Sequence, residues 1–181
     1  ATMPTAMADM IRVNLQGTNS DGEPSGIFSF SDFSSTGKGD EIRIITPNLQ
    51  IQDGAVLVAS TFNFQDGGNI VLSLDRLSVL NGGQVQTISR SDGAAGTIEI
   101  DATRGIEISG LNPNFADSLT QSSDTALPSR LSVQSSATGA AGDIIIGAAG
   151  RTPSLTLDDG GQIIAESATV DGGNITLNLT G

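Results

Sequence analysis

Residues 42–59 read IRIITPNLQIQDGAVLVA, and residues 70–87 read IVLSLDRLSVLNGGQVQT. Laid over each other without a gap, Ile42 and Ile44 fall on Ile70 and Leu72, and Leu49 and Ile51 on Leu77 and Val79. Asp53-Gly54 falls on Asn81-Gly82, and Leu57 and Ala59 on Val85 and Thr87. Each stretch holds three apolar-x-apolar pairs. A period of two is the mark of a strand with one buried face. The Asp-Gly and Asn-Gly dipeptides between the second and third pairs are turn chemistry.

The same unit extends outward in both directions. The next begins at Ile98 and Ile100 and continues at Ile106 and Ile108. Its third pair, Leu131 and Val133, is delayed by a polar insertion at 111–127. Another unit follows at Ile144/Ile146, Leu155/Leu157 and Ile163/Ala165, and a last one opens at Ile175/Leu177. A longer period lies over this one. Asp66-Gly67-Gly68-Asn69-Ile70 recurs as Asp171-Gly172-Gly173-Asn174-Ile175, Pro24-Ser25 as Pro128-Ser129, and Val13-x-Leu15-x-Gly17 as Ile106-x-Ile108-x-Gly110. The first 40 residues are therefore an earlier copy of the coil at 98–143. Its third strand is read as Ile27 with Ser29, while Phe28 and Phe30 offer a competing register.

One unit cannot bury its apolar pairs alone, whereas stacked units form a continuous dry column. Helical periodicity is nearly absent. The expectation is an all-β, single-stranded parallel β-helix with three short strands per coil and about five coils. The coils run approximately 1–41, 42–69, 70–97, 98–143, 144–174 and a partial 175–181, all within one domain. At about 4.8 Å per rung, such a rod is only ~24 Å long. Gly39, Gly68, Gly96, Gly142 and Gly173 each precede the first strand of a coil, where a corner requires positive φ or close backbone approach. Asn69, Thr97, Asp143 and Asn174 follow the last four of these and are expected to stack as a polar ladder bonded from coil to coil, Asp143 beside a neutral partner.

Composition narrows the function. The 181 residues include 23 Gly and 6 Phe but no Trp, Tyr, His or Cys. The formal charge is −12, with 8 basic residues of which Lys38 is the single Lys. Such a balance repels phosphate backbones, so nucleic acid is excluded as a partner. It gives no attraction to an anionic membrane, and no run approaches a membrane span. Without His or Cys, the commonest general base, the thiol nucleophiles and most transition-metal sites are gone. The start, ATMPTAMADM, is not an intact signal peptide, so a secretion signal would lie outside this sequence.

The remaining candidates are weak as chemistry. Asp158-Asp159 is the most suggestive carboxylate pair. Adjacent strand residues point to opposite faces, however, and the repeat sets Asp159 on the turn position of Asp53 and Asn81. The Asp-Gly clusters at Asp53, Asp66, Asp92, Asp159 and Asp171 offer oxygen ligands for Ca²⁺ but lack the nonapeptide rhythm of calcium-binding repeats, so Asx turns account for them. Gly-Ala-Ala-Gly at 93–96 and 139–142 precedes strands and lacks the lysine of a phosphate loop. Arg12, Arg43, Arg76, Arg90, Arg104, Arg130 and Arg151 are scattered along the coils as solvated or acid-paired positions. The insertion 111–127 leaves the shaft and is a place for recognition. Its counterpart at 18–23 is shorter. No catalytic residue, metal site or cofactor is assigned.

The phrase Gly-[Asn/Thr/Asp]-Ile-x-[Ile/Leu], followed by Leu-x-[Ile/Leu/Val]-x-[Asp/Asn]-Gly-[Ala/Gly]-x-[Ile/Val/Leu]-x-[Ala/Thr], resembles the repeats of filamentous-haemagglutinin-like exoproteins. The cyanobacterial type is nearest in flavour, as in SDGEPSGIFS at 20–29 and DGAVLVASTF at 53–62. The resemblance covers nearly everything after residue 10. It implies a right-handed parallel β-helix, export by two-partner secretion through an outer-membrane partner, and display outside the cell. It also implies a role as adhesin, contact-dependent toxin or surface fibre. The family's export domain is N-terminal with its own Asn-Pro-Asn motifs. Here Asn112-Pro113-Asn114-Phe115 lies inside the insertion and reads as a turn, so the chain reads as a piece of the repeat shaft or its C-terminal part.

The function expected is a non-catalytic repeat shaft of a secreted or surface-displayed adhesin or fibre. Its partner would be a host cell, a neighbouring cell or an extracellular polysaccharide surface. A self-assembling extracellular filament, by end-to-end pairing of open coils, is the alternative. A carbohydrate-active β-helix protein is a further one, which would need convergent carboxylates and aromatic platforms that a chain without Tyr or Trp lacks.

Overall fold

A computed structural model describes residues 12–112 and 127–181. The described chain is all β, without a helix. In order, the strands are β1 (Arg12–Gln16), β2 (Gly26–Ser31), β3 (Ile42–Gln52), β4 (Val56–Thr61), β5 (Ile70–Leu80), β6 (Gln84–Ser89) and β7 (Ile98–Ser109). They continue as β8 (Leu111–Asn112), β9 (Leu127–Pro128), β10 (Arg130–Ser135), β11 (Ile144–Ile146), β12 (Leu155–Asp158), β13 (Gln162–Ser167) and β14 (Ile175–Leu177).

Two parallel sheets carry the repeat. One runs β1-β3-β5-β7-β11-β14, with β12 also on β7, and the other β13-β10-β6-β4-β2. They remain separate sheets, an arrangement compatible with a β-helix or solenoid. The register is the one the repeat demands. Ile42 faces Ile70, Ile70 faces Ile98, Ile98 faces Ile144 and Ile144 faces Ile175. Leu49, Leu77, Ile106 and Leu155 follow one another in the same way, and so do Leu57, Val85, Leu131 and Ile163. Apart from Ile175 on the last strand, these aliphatic side chains from both sheets make one core. Fully burying one Ile or Leu contributes roughly 1.5–3 kcal/mol. The competing register of the first coil is decided too: Ile27 packs on the core beside Leu57, and Phe28 and Phe30 point away from it.

The first and second apolar pairs of a coil, expected on separate strands, lie on one continuous strand in β3, β5 and β7. The corner between them is a bend in that strand. Pro47 sits there in β3 and takes no part in the pairing with β5, as a residue without an N–H must. One rung on, the pairing shifts between Leu74 and Arg76, so that Thr103 and Arg104 face Asp75 in a bulge. A bulge bends its strand while preserving the ladder on either side. In the following coil the corner opens into a loop, and the pairs separate as β11 and β12.

The next corner is sharper. Asp53-Gly54, Asn81-Gly82 and Asp159-Gly160 have φ of 56° and 83°, 49° and 82°, and 44° and 84°. Each pair is closed by a backbone bond: Ala55 N donates to Gln52 O, Gly83 N to Leu80 O and Gly161 N to Asp158 O. Two successive left-handed residues define the I′ geometry, which favours Asn-Gly and Asp-Gly.

The corner before each coil works differently. Gly68, Gly96, Gly142 and Gly173 are absent from the left-handed region. A Cβ on Gly96 would overlap the carbonyl oxygen of Gly68, one on Gly142 that of Gly96, and one on Gly173 that of Gly142. Close backbone approach, rather than positive φ, excludes a side chain here.

Candidate functional site

Several of the acidic residues serve the rungs. Asn81 Nδ2 donates to Asp53 Oδ1 at 3.1 Å, and Gln16 Nε2 to Asp53 Oδ2 at 2.9 Å. Ala94 N donates to Asp66 Oδ1 at 3.1 Å, and Thr103 Oγ1 to Asp75 Oδ1 at 2.8 Å. Thr138 Oγ1 donates to Asp92 Oδ1. The expected ladder forms in part by side chain to backbone. Thr97 N donates to Asn69 Oδ1 and Asn174 N to Asp143 Oδ1, each at 2.8 Å, with Asn174 Nδ2 on the same oxygen at 3.1 Å. Carboxylates held this way act as hydrogen-bond acceptors between coils.

The Asp158-Asp159 pair is a turn: Asp159 N donates to Asp158 Oδ1 at 2.8 Å, and Asp159 takes the left-handed position of Asp53 and Asn81. Among the described residues, no three carboxylates gather where a metal could bind. The Gly-Ala-Ala-Gly runs stack on one another before β7 and β11, with Ala95 N donating to Ala140 O at 3.0 Å.

Both insertions leave the same corner through the same kind of neck. Ser25 N donates to Gly17 O at 2.9 Å, and Ser129 N to Gly110 O at 3.0 Å. Thr18 bridges Pro24 antiparallel, and β8 pairs β9 antiparallel. Gly17 (φ 78°) and Gly110 (φ 87°) hold the left-handed residue that Asp53, Asn81 and Asp159 hold in the uninterrupted coils. An insertion thus grows out of an existing turn and leaves the ladder intact. Of the Asn112-Pro113-Asn114-Phe115 motif, only Asn112 lies within the described residues, on β8. The rest of the insertion, 113–126, lies outside them.

The feature sequence reasoning missed is on the outer face of the second sheet. All six residues of β4 and of β6 are buried, including the outward-facing Val56, Val58, Gln84, Gln86 and Ile88. A groove of about 270 Å³ runs over them, flanked by Phe28, Phe30 and Phe62 and ending at Arg90 and at Arg130 with Pro24 and Leu127. The aromatic rings are gathered: Phe28 and Phe30 stack with centroids 5.5 Å apart, and Phe30 and Phe33 lie 6.4 and 5.4 Å from Phe62. The Arg90 guanidinium lies 5.7 Å from the Phe62 centroid, a cation–π distance. With its carboxamide oxygen facing the guanidinium, Gln86 accepts from Arg130 Nη2 and Nε at 2.8 and 3.0 Å. Two signals in the sequence pointed here. The Ile27 register forces Phe28 and Phe30 outward, and Ala55-Val56-Leu57-Val58-Ala59 breaks the alternation on its solvent side.

Compared with known protein families, curated proteins and solved structures, the chain finds no match. Among the described residues, no helix is long and apolar enough to cross a membrane.

Proposed function

We propose that this chain is a non-catalytic repeat shaft of a secreted, surface-displayed adhesin or fibre, wound as a right-handed parallel β-helix with three faces per coil. The bends at Pro47 and Asp75, the I′ turns and the glycine corners would be the three edges of each coil. The observation that carries the reading is the unbroken Ile42–Ile70–Ile98–Ile144–Ile175 column. Its supports are the resemblance of the repeat and the use of carboxylates as rung-to-rung acceptors. A shaft of this kind supplies stiffness, with recognition carried by what projects from it.

Beads coated with the purified chain test the reading by attachment to cells and to polysaccharide-coated surfaces. Attachment that falls on deletion of 112–126, with the β spectrum unchanged, is the expected result. Failure of the intact, folded chain to attach to any such surface would overturn the adhesive role.

A second reading, self-assembly into filaments, is favoured by one observation. Ile175 and Leu177 continue the core column on the edge strand β14 yet are 45% and 47% exposed. A further rung, from a following stretch of chain or from a second copy, would cover them and pair the open edge. Sedimentation of the chain across a concentration series, with Leu177→Lys as the control, separates the readings. Association abolished by the lysine supports assembly, and a concentration-independent monomer opposes it.

A further inference from the structure

We infer that the groove on the outer face of β2, β4 and β6 binds a long-chain carboxylate, its hydrocarbon lying along Val58 and Ile88 and its headgroup against Arg90. The inference stands apart from the shaft reading, since nothing in the core column or the turns requires an apolar outer face.

Three observations point to that chemistry. The first is charge. The chain carries 20 acidic against 8 basic residues, yet two arginines and no acid line the groove. In an acidic protein this is a local site for an anion. Arg90 is the available anchor, exposed and stacked on Phe62, and a guanidinium matches a carboxylate with paired N–H donors.

The second is the lining. Along its middle the groove presents Phe28, Phe30, Val58 and Ile88, with Ser60, Gln84 and Gln86 as its few polar side chains. A sugar or a peptide brings a polar group at every unit, more than Ser60, Gln84 and Gln86 can partner, and each group left over would lose its water without replacement. An unbranched hydrocarbon has nothing to lose. β4 and β6 are each paired on both sides, so a peptide lying over Val58 and Ile88 would find no free backbone partner either.

The third is shape. The outward row from Val56 to Phe62 spans six residue steps, or about 20 Å at ~3.3 Å per residue. With a volume of about 270 Å³, the groove is long and narrow, as a single acyl chain requires. The flanking Phe28 and Phe30 are 44% and 60% exposed, so the rings that would close over the chain still face solvent.

Titration calorimetry of the full chain with octanoate, decanoate and dodecanoate, below their micellar concentrations, tests this. The expected result is one site per chain, tightening about four-fold per added methylene. Dodecan-1-ol and dodecyltrimethylammonium should bind at least about ten-fold more weakly, because neither offers a guanidinium the charged, paired oxygens of a carboxylate. Arg90→Glu should weaken dodecanoate by a similar factor, and Phe30→Ser should reduce the gain per methylene. Both residues are exposed, so these variants keep the fold, which the far-ultraviolet spectrum checks. The proposal is overturned by equal binding of the cationic amphiphile or by unchanged affinity in Arg90→Glu. It is also overturned if binding appears only after deletion of 113–126, which would make the chain's own segment the occupant. A groove hidden in a dimer by light scattering would overturn it as well.

Discussion

Asn81 Nδ2 donates to Asp53 Oδ1 at 3.1 Å across one rung, and the two backbones share a left-handed conformation, with φ of 49° and 56°. One column of residues therefore answers two demands. Asn and Asp tolerate the left-handed region better than other residues with a side chain, and their polar ends reach the next coil. Gly17 and Gly110 meet only the first demand, and they stand where an insertion begins.

Asn81→Ala should destabilise the chain by about 1–2 kcal/mol, since alanine bears the left-handed cost and drops the bond to Asp53. Asn81→Gly loses the bond but not the conformation, and should recover roughly half of that loss. Urea denaturation of the two variants beside the parent gives both numbers. Equal stability of alanine and glycine at this position would show that the turn does not demand its φ.

Gly96→Ala should be costly for a different reason. Its Cβ would overlap the Gly68 carbonyl, a backbone atom that cannot move without breaking the Ile70–Ile98 rung. Overpacking against backbone costs about 1–3 kcal/mol or more. Gly37→Ala meets open space and should lie within about 0.5 kcal/mol of the parent. Thermal melts of the pair test the contrast.

Ile98→Ala removes a fully buried side chain from the middle of the column and should cost about 2–5 kcal/mol. Ile45→Ala, at a position 75% exposed, should cost within about 0.5 kcal/mol. Because each coil touches only its neighbours, Ile98→Ala should also loosen amide protection most in β5, β7 and β11. Hydrogen exchange resolves this by segment, and uniform loosening of the whole chain would argue against stacked units.

Calcium should not shift the melting midpoint. Asp53, Asp66 and Asp92 spend carboxylate oxygens on neighbouring coils, and a cation would have to displace those bonds. Melts in millimolar calcium and in chelator should coincide. A midpoint raised by calcium would reveal a site built from the Asp-Gly turns.

Much of this architecture was legible because the repeat is its own alignment. Matching Ile42 to Ile70 and Asp53-Gly54 to Asn81-Gly82 set the pairing register of β3 on β5 before any coordinate. A stacked coil has one register in which every aliphatic pair stays inside. The bend at Pro47 was less legible. A polar break between two apolar pairs reads the same whether the strand ends or merely turns, and only the continued ladder on either side of Pro47 tells them apart. The glycines before each coil were open in the same way, since positive φ and close approach select the same residue.

The sequence by itself determined the repeat, the inward positions and the residues able to turn the corners, because each is a local demand met again every coil. The tertiary structure alone decided what the outward positions do. Phe28, Phe30, Val58, Phe62 and Arg90 belong to different coils and share no motif. They become one groove only because stacking sets successive strands side by side, at a spacing close enough for their side chains to touch.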